Sequence, residues 1–185
     1  GFIPGWFAAE QDASLIIIID NSASMTASRN GKSFLDISKN EVMALLPIFK
    51  KETQVIISQT CPPKIVFKGF NSSSDIRNSI KYIEPTNDYD RLWETINNVT
   101  TEEDNNGVIK ECIVFSDFMH FPDSSSIKNL KFENDWKFYF IKHGKMDKNL
   151  GVSNVSFLNR MKILSQLISI ETDIKNTGLD NLENI

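Results

Sequence analysis

Ser14-Leu15-Ile16-Ile17-Ile18-Ile19-Asp20, followed at once by Asn21-Ser22-Ala23-Ser24-Met25, decides the reading of this chain. Five consecutive aliphatic residues are strand length, and a run without polar alternation is what a strand buried on both faces requires. Such strands belong to parallel sheets covered by helices on either side. The apolar run stops at a carboxylate and passes into a Ser/Asn-rich loop, so whatever Asp20 does, it does at a carboxyl end of the sheet.

Downstream, Leu35, Ser38, Val42, Leu45 and Phe49 recur at intervals of three and four from Ser33 on, which predicts a helix with one apolar face. Lys50 and Lys51 are expected to close it, as cations near its negative end. Gln54–Gln59 and Lys64–Phe70 read as two strands joined tightly through Cys61-Pro62-Pro63, an antiparallel pair at the sheet edge. A short helix to Ile83 follows the loop Asn71–Ser74. Glu84-Pro85-Thr86-Asn87 interrupts it, and a second helix carries Tyr89, Leu92, Ile96 and Val99 on one face. Ile109–Phe115 is another buried strand, ending at Ser116-Asp117. A loop and weak helix are expected to about Asn134, and Trp136–Ile141 is a further strand. Strands alternating with helices in this order predict an α/β fold: a doubly wound, mostly parallel, Rossmann-like sheet with helices on both faces.

The ends read differently. Residues 1–12 have no period and form a lead-in segment. The α/β domain is expected over 13–149. Beyond it, Val152–Leu158 and Ile163–Ile174 read as strands without a helix between them, so 150–185 is expected to be a β-rich segment, the start of an all-β module cut short. The alternative is that the strand at Val152 completes the first sheet. The chain opens at Gly1 and stops at Ile185, and we expect it to be a fragment of a longer protein.

Composition narrows the function. The 185 residues are 41% hydrophobic and 24% charged, ordinary for a folded domain. A net charge of −4 argues against nucleic-acid binding, which needs a basic face. Two cysteines, Cys61 and Cys112, make no disulfide framework and read as free, partly buried thiols. No stretch approaches the ~20 apolar residues of a membrane helix.

In open α/β sheets ligands bind beyond the carboxyl ends of the strands, where strand order reverses. Asp20 and Asp117 stand at two such ends, and Thr86 precedes a helix between them. Asp20, Ser22 and Ser24 occupy alternate positions of a tight loop, so all three can point at one centre. These groups offer oxygen only, which suits a hard cation: Mg²⁺, or Mn²⁺ or Ca²⁺ in its place. Two carboxylates at most neutralise such an ion. It then keeps an open position that an Asp or Glu carboxylate of a protein partner would fill.

At these residues the sequence resembles the von Willebrand factor A (vWA) family. The metal-ion-dependent adhesion site of that family has a D-x-S-x-S loop, here Asp20-Asn21-Ser22-Ala23-Ser24. It has a threonine in a T-[ND]-x-x-x-x-L setting, here Thr86-Asn87-Asp88-Tyr89-Asp90-Arg91-Leu92, and an aspartate after the fourth strand, here Ser116-Asp117-Phe118. The resemblance covers roughly Asp12 to His143. It implies a non-enzymatic, metal-dependent protein-interaction module with Asp20, Ser22, Ser24, Thr86 and Asp117 as ligands, and Asn21, Met25, Asn87 and Phe118 as the partner-binding rim. Pro85 and Phe118 stand where the family usually has glycine, which would narrow access to the metal. The chain is also similar to bacterial aerotolerance (Bat) vWA proteins in its D-N-S-A-S-M loop, its Trp6-Phe7 lead-in and its Lys175-Asn176-Thr177-Gly178 ending. That similarity implies a parent protein anchored in a membrane through segments outside this fragment.

Plainer readings compete. Asp20, Ser22 and Ser24 also suit turn capping, and Thr86 a helix N-cap. His120 and His143 read as surface or loop residues, Asp88 and Asp90 as solvated first-turn acids. The sequons at Asn71, Asn98 and Asn154 are no more than an Asn-rich chain produces by chance. A Mg²⁺-dependent hydrolase on the same sheet would need more carboxylates, or a Lys or Arg clamp, near the metal. Hydroxyls stand there instead. A metal-free scaffold, its open position blocked by Phe118, is the third possibility.

Overall fold

The computed structural model describes residues 13–88, 90–101, 109–119, 136–144, 150–157 and 170–176. The chain separates into two compact units, 1–144 and 145–185.

The first unit is built on a five-stranded sheet in the order β5-β4-β1-β6-β7. These strands are β1 (Ala13–Ile19), β4 (Gln54–Thr60), β5 (Pro63–Phe70), β6 (Ile109–Ser116) and β7 (Trp136–Lys142). All neighbours run parallel except β4 and β5, which form the expected antiparallel edge pair. A small hairpin, β2 (Ser28–Arg29) with β3 (Lys32–Ser33), leads into the first helix. The aliphatic run makes the central strand, and all seven residues of β1 are buried. This is the mostly parallel, Rossmann-like α/β fold read from the sequence.

Period-two alternation divides β1 between two layers. Ile16 and Ile18 pack in a core with Cys112 and Val114 of β6 and with Leu92, Ile96 and Val99 of α3 (Leu92–Thr101). The opposite face is covered by α1 (Phe34–Leu45), whose buried stripe is Phe34, Leu35, Ser38, Val42 and Leu45. Burying such side chains is worth about 1.5–3 kcal/mol each, which makes the middle of the sheet the stable part of the unit.

Local chemistry sets the helix ends. The Ser33 hydroxyl accepts the Asp36 amide at 3.0 Å and donates to the Asp36 carboxylate at 2.6 Å, an N-cap closed from both sides. α1 ends earlier than Lys50 and Lys51 suggest. Pro47 lacks an amide hydrogen, and the chain leaves through a 3-10 turn over Leu46–Ile48. The helix α2 spans Asp75–Lys81. α3 begins at Leu92, later than the expected helical face, and Tyr89 lies outside the described residues. So do the lead-in segment, the weak helix expected before Asn134, His120 and the expected strand residues Ile163–Ser169. The Asn71 side-chain amide donates to the carbonyls of Leu46, Phe49 and Lys50 and so fastens the end of α1.

In the second unit, β8 (Leu150–Phe157) and β9 (Ile170–Asn176) form an antiparallel pair with a register shift between Val152 and Asn154. The strand at Val152 therefore pairs with β9.

Candidate metal centre

From β1 the chain passes through α1 to β4 on one side, then returns over α2 and α3 to β6 on the other. Strand order thus reverses between β1 and β6, which opens a crevice at their carboxyl ends. Asp20 and Asp117 are the residues immediately past those two strands. The register pairs Ile19 with Phe115, so Asp20 and Asp117 leave adjacent parallel strands one residue out of step.

Asp20 is fully buried and tightly held. Its amide donates to the Phe115 carbonyl at 2.9 Å. One carboxylate oxygen accepts the Ser22 amide at 2.9 Å and the Thr60 hydroxyl at 3.1 Å, and the other accepts the Ser116 hydroxyl. These bonds fix the carboxylate and spread its charge over neutral donors. Ser22 is buried and Ser24 half-buried, with their hydroxyl oxygens 3.2 Å apart. Asp117 is buried at 4% exposure and accepts the Met119 amide at 3.2 Å. Thr86 is half-buried in the α2–α3 connection, where its amide donates to the Asn21 carbonyl at 2.9 Å and its hydroxyl accepts the Asp88 amide at 2.8 Å. All five expected ligand residues therefore lie at the same end of the sheet. Beside them is a cleft of about 250 Å³ whose walls include Thr26, Asp36, Lys39, Glu84 and Pro85.

The expected rim needs correction. Of its four residues only Asn87 is exposed. Asn21 is fully buried because its side chain locks three segments together. Its oxygen accepts the amides of Thr60 and Cys61 at 3.1 and 2.8 Å, and its nitrogen donates to the carbonyls of Cys61 and Glu84 at 2.7 and 2.8 Å. Met25 is fully buried as well. Phe118 turns into the α3-side core, its ring 5.7 Å from that of Phe140 in an edge contact. It does so with a left-handed backbone, φ 51°. That conformation costs a side-chain-bearing residue roughly 1–2 kcal/mol, less than burying a phenyl ring contributes. Phe118 thus fills the core and does not stand over the site.

Three further residues belong to this end of the molecule, and their sequence context concealed them. Thr60 and Cys61 close β4, and Asp90 precedes α3, its carboxylate accepting the Leu92 amide at 2.8 Å. Asp90 is half-buried, not a solvated acid. One ligand atom each from Asp20, Cys61 and Asp90 lies within 4.8 Å of the others. The Thr60 hydroxyl is 3.4 Å from the Cys61 sulfur. Burial pushes the Cys61 thiol up, and the nearby charges of Asp20 and Asp90 push the same way, against the lowering effect of hydrogen bonds from Thr60 and the Arg91 backbone. Acids gathered in this way favour a cation beside them, and the donor types present fit a divalent one.

His143, expected as a surface or loop residue, lies in the loop past the end of β7 and is buried there at 9% exposure. Its ring stacks on Phe115 at 6.0 Å and its Nε2 lies 3.1 Å from a Glu41 carboxylate oxygen.

Comparisons with known proteins find no matching family model and no matching curated protein. Solved structures do match. BatB of Bacteroides thetaiotaomicron, a conserved hypothetical protein, superposes with a TM-score of 0.65 at 16% identity over 91% of this chain and 81% of its own. An aerotolerance-related membrane protein of Bacteroides fragilis gives 0.58 at 13% identity over 86% and 81%. Proximal thread matrix protein 1 of the mussel byssus, in a form with a zinc-occupied MIDAS motif, gives 0.55 at 17% identity over 71% of this chain and 38% of its own. At these identities the likeness establishes the fold.

Proposed function

From a fold of the von Willebrand factor A type, we propose that this chain is a metal-dependent protein-interaction module. Asp20, Ser22, Ser24, Thr86 and Asp117 would hold one divalent cation, Mg²⁺ or an ion of its kind. The observation that carries the reading is the pair of buried aspartates leaving adjacent parallel strands at the point where strand order reverses. A structural neighbour whose MIDAS motif holds zinc supports a divalent ion at this end of such a fold.

The ion's role would be to present a Lewis-acidic open position to a partner's Asp or Glu carboxylate. This chain's residues would prepare that position. Thr60 and Ser116 aim Asp20, while the bond between the Thr86 amide and Asn21 ties the threonine loop to the aspartate loop. The adjoining cleft, with Lys39 and both Asp36 and Glu84 on its walls, would add selectivity by charge. The described residues around the two aspartates include no Lys or Arg clamp aimed at a phosphoryl group, so binding suits the donor set better than hydrolysis does. Structural likeness to an aerotolerance-related membrane protein supports a membrane-anchored parent.

The test is a Mn²⁺ titration followed by electron paramagnetic resonance, in the chain and in Asp20→Ala and Asp117→Ala. We expect one saturable site, lost in both variants while circular dichroism stays native-like. An Asp-bearing peptide should then displace metal-bound water and lower water-proton relaxation, and its Asn counterpart should not. Absence of a saturable site in the unaltered chain would overturn the reading.

A further inference from the structure

The oxygen-donor centre proposed above makes no use of Cys61 or Asp90, although both stand beside Asp20. Their ligand atoms and that of Asp20 fall within 4.8 Å of one another. Three separate segments deliver them: the loop after β1, the β4–β5 connection and the residues before α3. A tetrahedral ion with metal–sulfur and metal–oxygen distances of about 2.3 and 2.0 Å sets its ligand atoms about 3.5 Å apart. The three groups are within about 1.3 Å of that spacing, a gap that side-chain rotation can close. Their surroundings are ordered in the manner of a metal's outer ligands. The Thr60 hydroxyl donates to Asp20 and touches the Cys61 sulfur, and the Asp90 carboxylate is steadied by the Leu92 amide.

We infer that Cys61, Asp90 and Asp20 form a second cation position beside the oxygen-donor one, sharing Asp20 with it, and that this position takes a zinc-class cation in preference to Mg²⁺ or Ca²⁺. The inference rests on the proposed function in one respect, that a cation sits on Asp20. Sulfur makes the choice of ion: thiolate ligands favour zinc and its soft neighbours, whereas hard cations demand oxygen. On binding, the S–H bond breaks, its proton leaves to water, and the sulfur electron pair forms the bond to the metal with no change of oxidation state. Three protein ligands leave a fourth position of the tetrahedron open for an incoming group.

Co²⁺ serves as the visible stand-in for zinc. Titrated into the full chain, it should produce a near-ultraviolet sulfur-to-cobalt charge-transfer band that saturates at one equivalent and survives excess Mg²⁺. Cys61→Ser should abolish that band while weaker visible d–d bands report a cobalt ion still held by oxygens, and Asp90→Asn should weaken Co²⁺ binding roughly tenfold or more. Saturable Co²⁺ binding without the charge-transfer band would overturn the sulfur ligand and leave the oxygen-donor module standing. No saturable site for either Co²⁺ or Mn²⁺ would overturn both. If Cys61→Ser does not fold, ¹¹³Cd resonance in the unaltered chain decides: a strongly downfield signal supports the thiolate, and a signal in the all-oxygen range overturns it.

Discussion

Cys112 lies in the middle of β6 and Cys61 at the carboxyl end of β4; neither is in a disulfide and both are fully buried. Around Cys112 are Ile16, Ile18, Val114 and Trp136. Burial there holds the thiol protonated far above its ordinary range, with no charged group among the causes. Around Cys61 are Thr60, Asp20 and Asp90. The same residue type at the same burial is thus core filling in one place and a candidate ligand in the other. What separates them is position along the strand. The middle of a doubly covered sheet is apolar on both sides, whereas its carboxyl end gathers polar loops from several strands.

Substitutions can sharpen or break this contrast between sheet centre and sheet end. The largest effect is expected in the centre. Ile16→Ala should destabilise the chain by about 2–5 kcal/mol through lost burial and a residual cavity, read from urea midpoints, while Mn²⁺ affinity of the folded fraction stays unchanged. At the sheet end, Asn21→Ala should cost about 3 kcal/mol, because it strands backbone groups of Thr60, Cys61 and Glu84. Unlike the core variant, it should speed hydrogen exchange at the Thr86 amide. If Asn21→Ala is neutral, the lock described for it is wrong.

Phe118→Gly tests the boundary between the two regions. It relieves a left-handed strain of about 1 kcal/mol but forfeits the burial of a phenyl ring, so a net loss of about 2 kcal/mol is expected in thermal melts. A stabilised variant would mean that the ring contributes little to the core. For the cysteines, Cys112→Ser should cost about 1–3 kcal/mol by placing a hydroxyl in an apolar core. Cys61→Ser should cost under about 1 kcal/mol, since Thr60 and the Arg91 backbone offer partners to the new hydroxyl. Equal losses in urea titrations would erase the distinction drawn between the two sites.

The smallest effect is set by pH. Burial pushes the His143 imidazole down, and the Glu41 carboxylate pulls it part of the way back. The unfolded chain therefore takes up the proton first as pH falls. Stability associated with His143 is complete above the unfolded value of about 6.5 and declines as pH drops through it toward the lower folded value. Urea midpoints measured between neutral pH and mildly acidic pH should fall accordingly, and His143→Gln should flatten that part of the curve. An unchanged slope in the variant would assign the dependence to other groups.

The likeness between sequence and structure is greatest where the signal is local. The β1 run, the alternation of strands and helices, and the proline-marked β4–β5 pair each follow from residues that are neighbours in the chain. So does the position of Asp20 and Asp117 past strand ends, because each follows closely on an apolar run, Leu15–Ile19 and Ile113–Phe115. Misreadings fell on residues whose neighbours come from afar. Asn21 looked like an exposed loop residue, Phe118 like a plug over the site and Asp90 like a solvated acid.

The sequence by itself therefore determined the α/β class, the central strand and the end of the sheet at which polar chemistry gathers. Periodicity and burial are dictated within a few residues and need no knowledge of strand order. Only the tertiary structure decided that Asn21 bonds Cys61, 40 residues away, and that Ser116 bonds Asp20 across 96. It alone turned Phe118 inward and brought Cys61 and Asp90 to the same carboxylate. Those pairings depend on which strands become neighbours in the sheet, and that order is settled by the packing of the whole core.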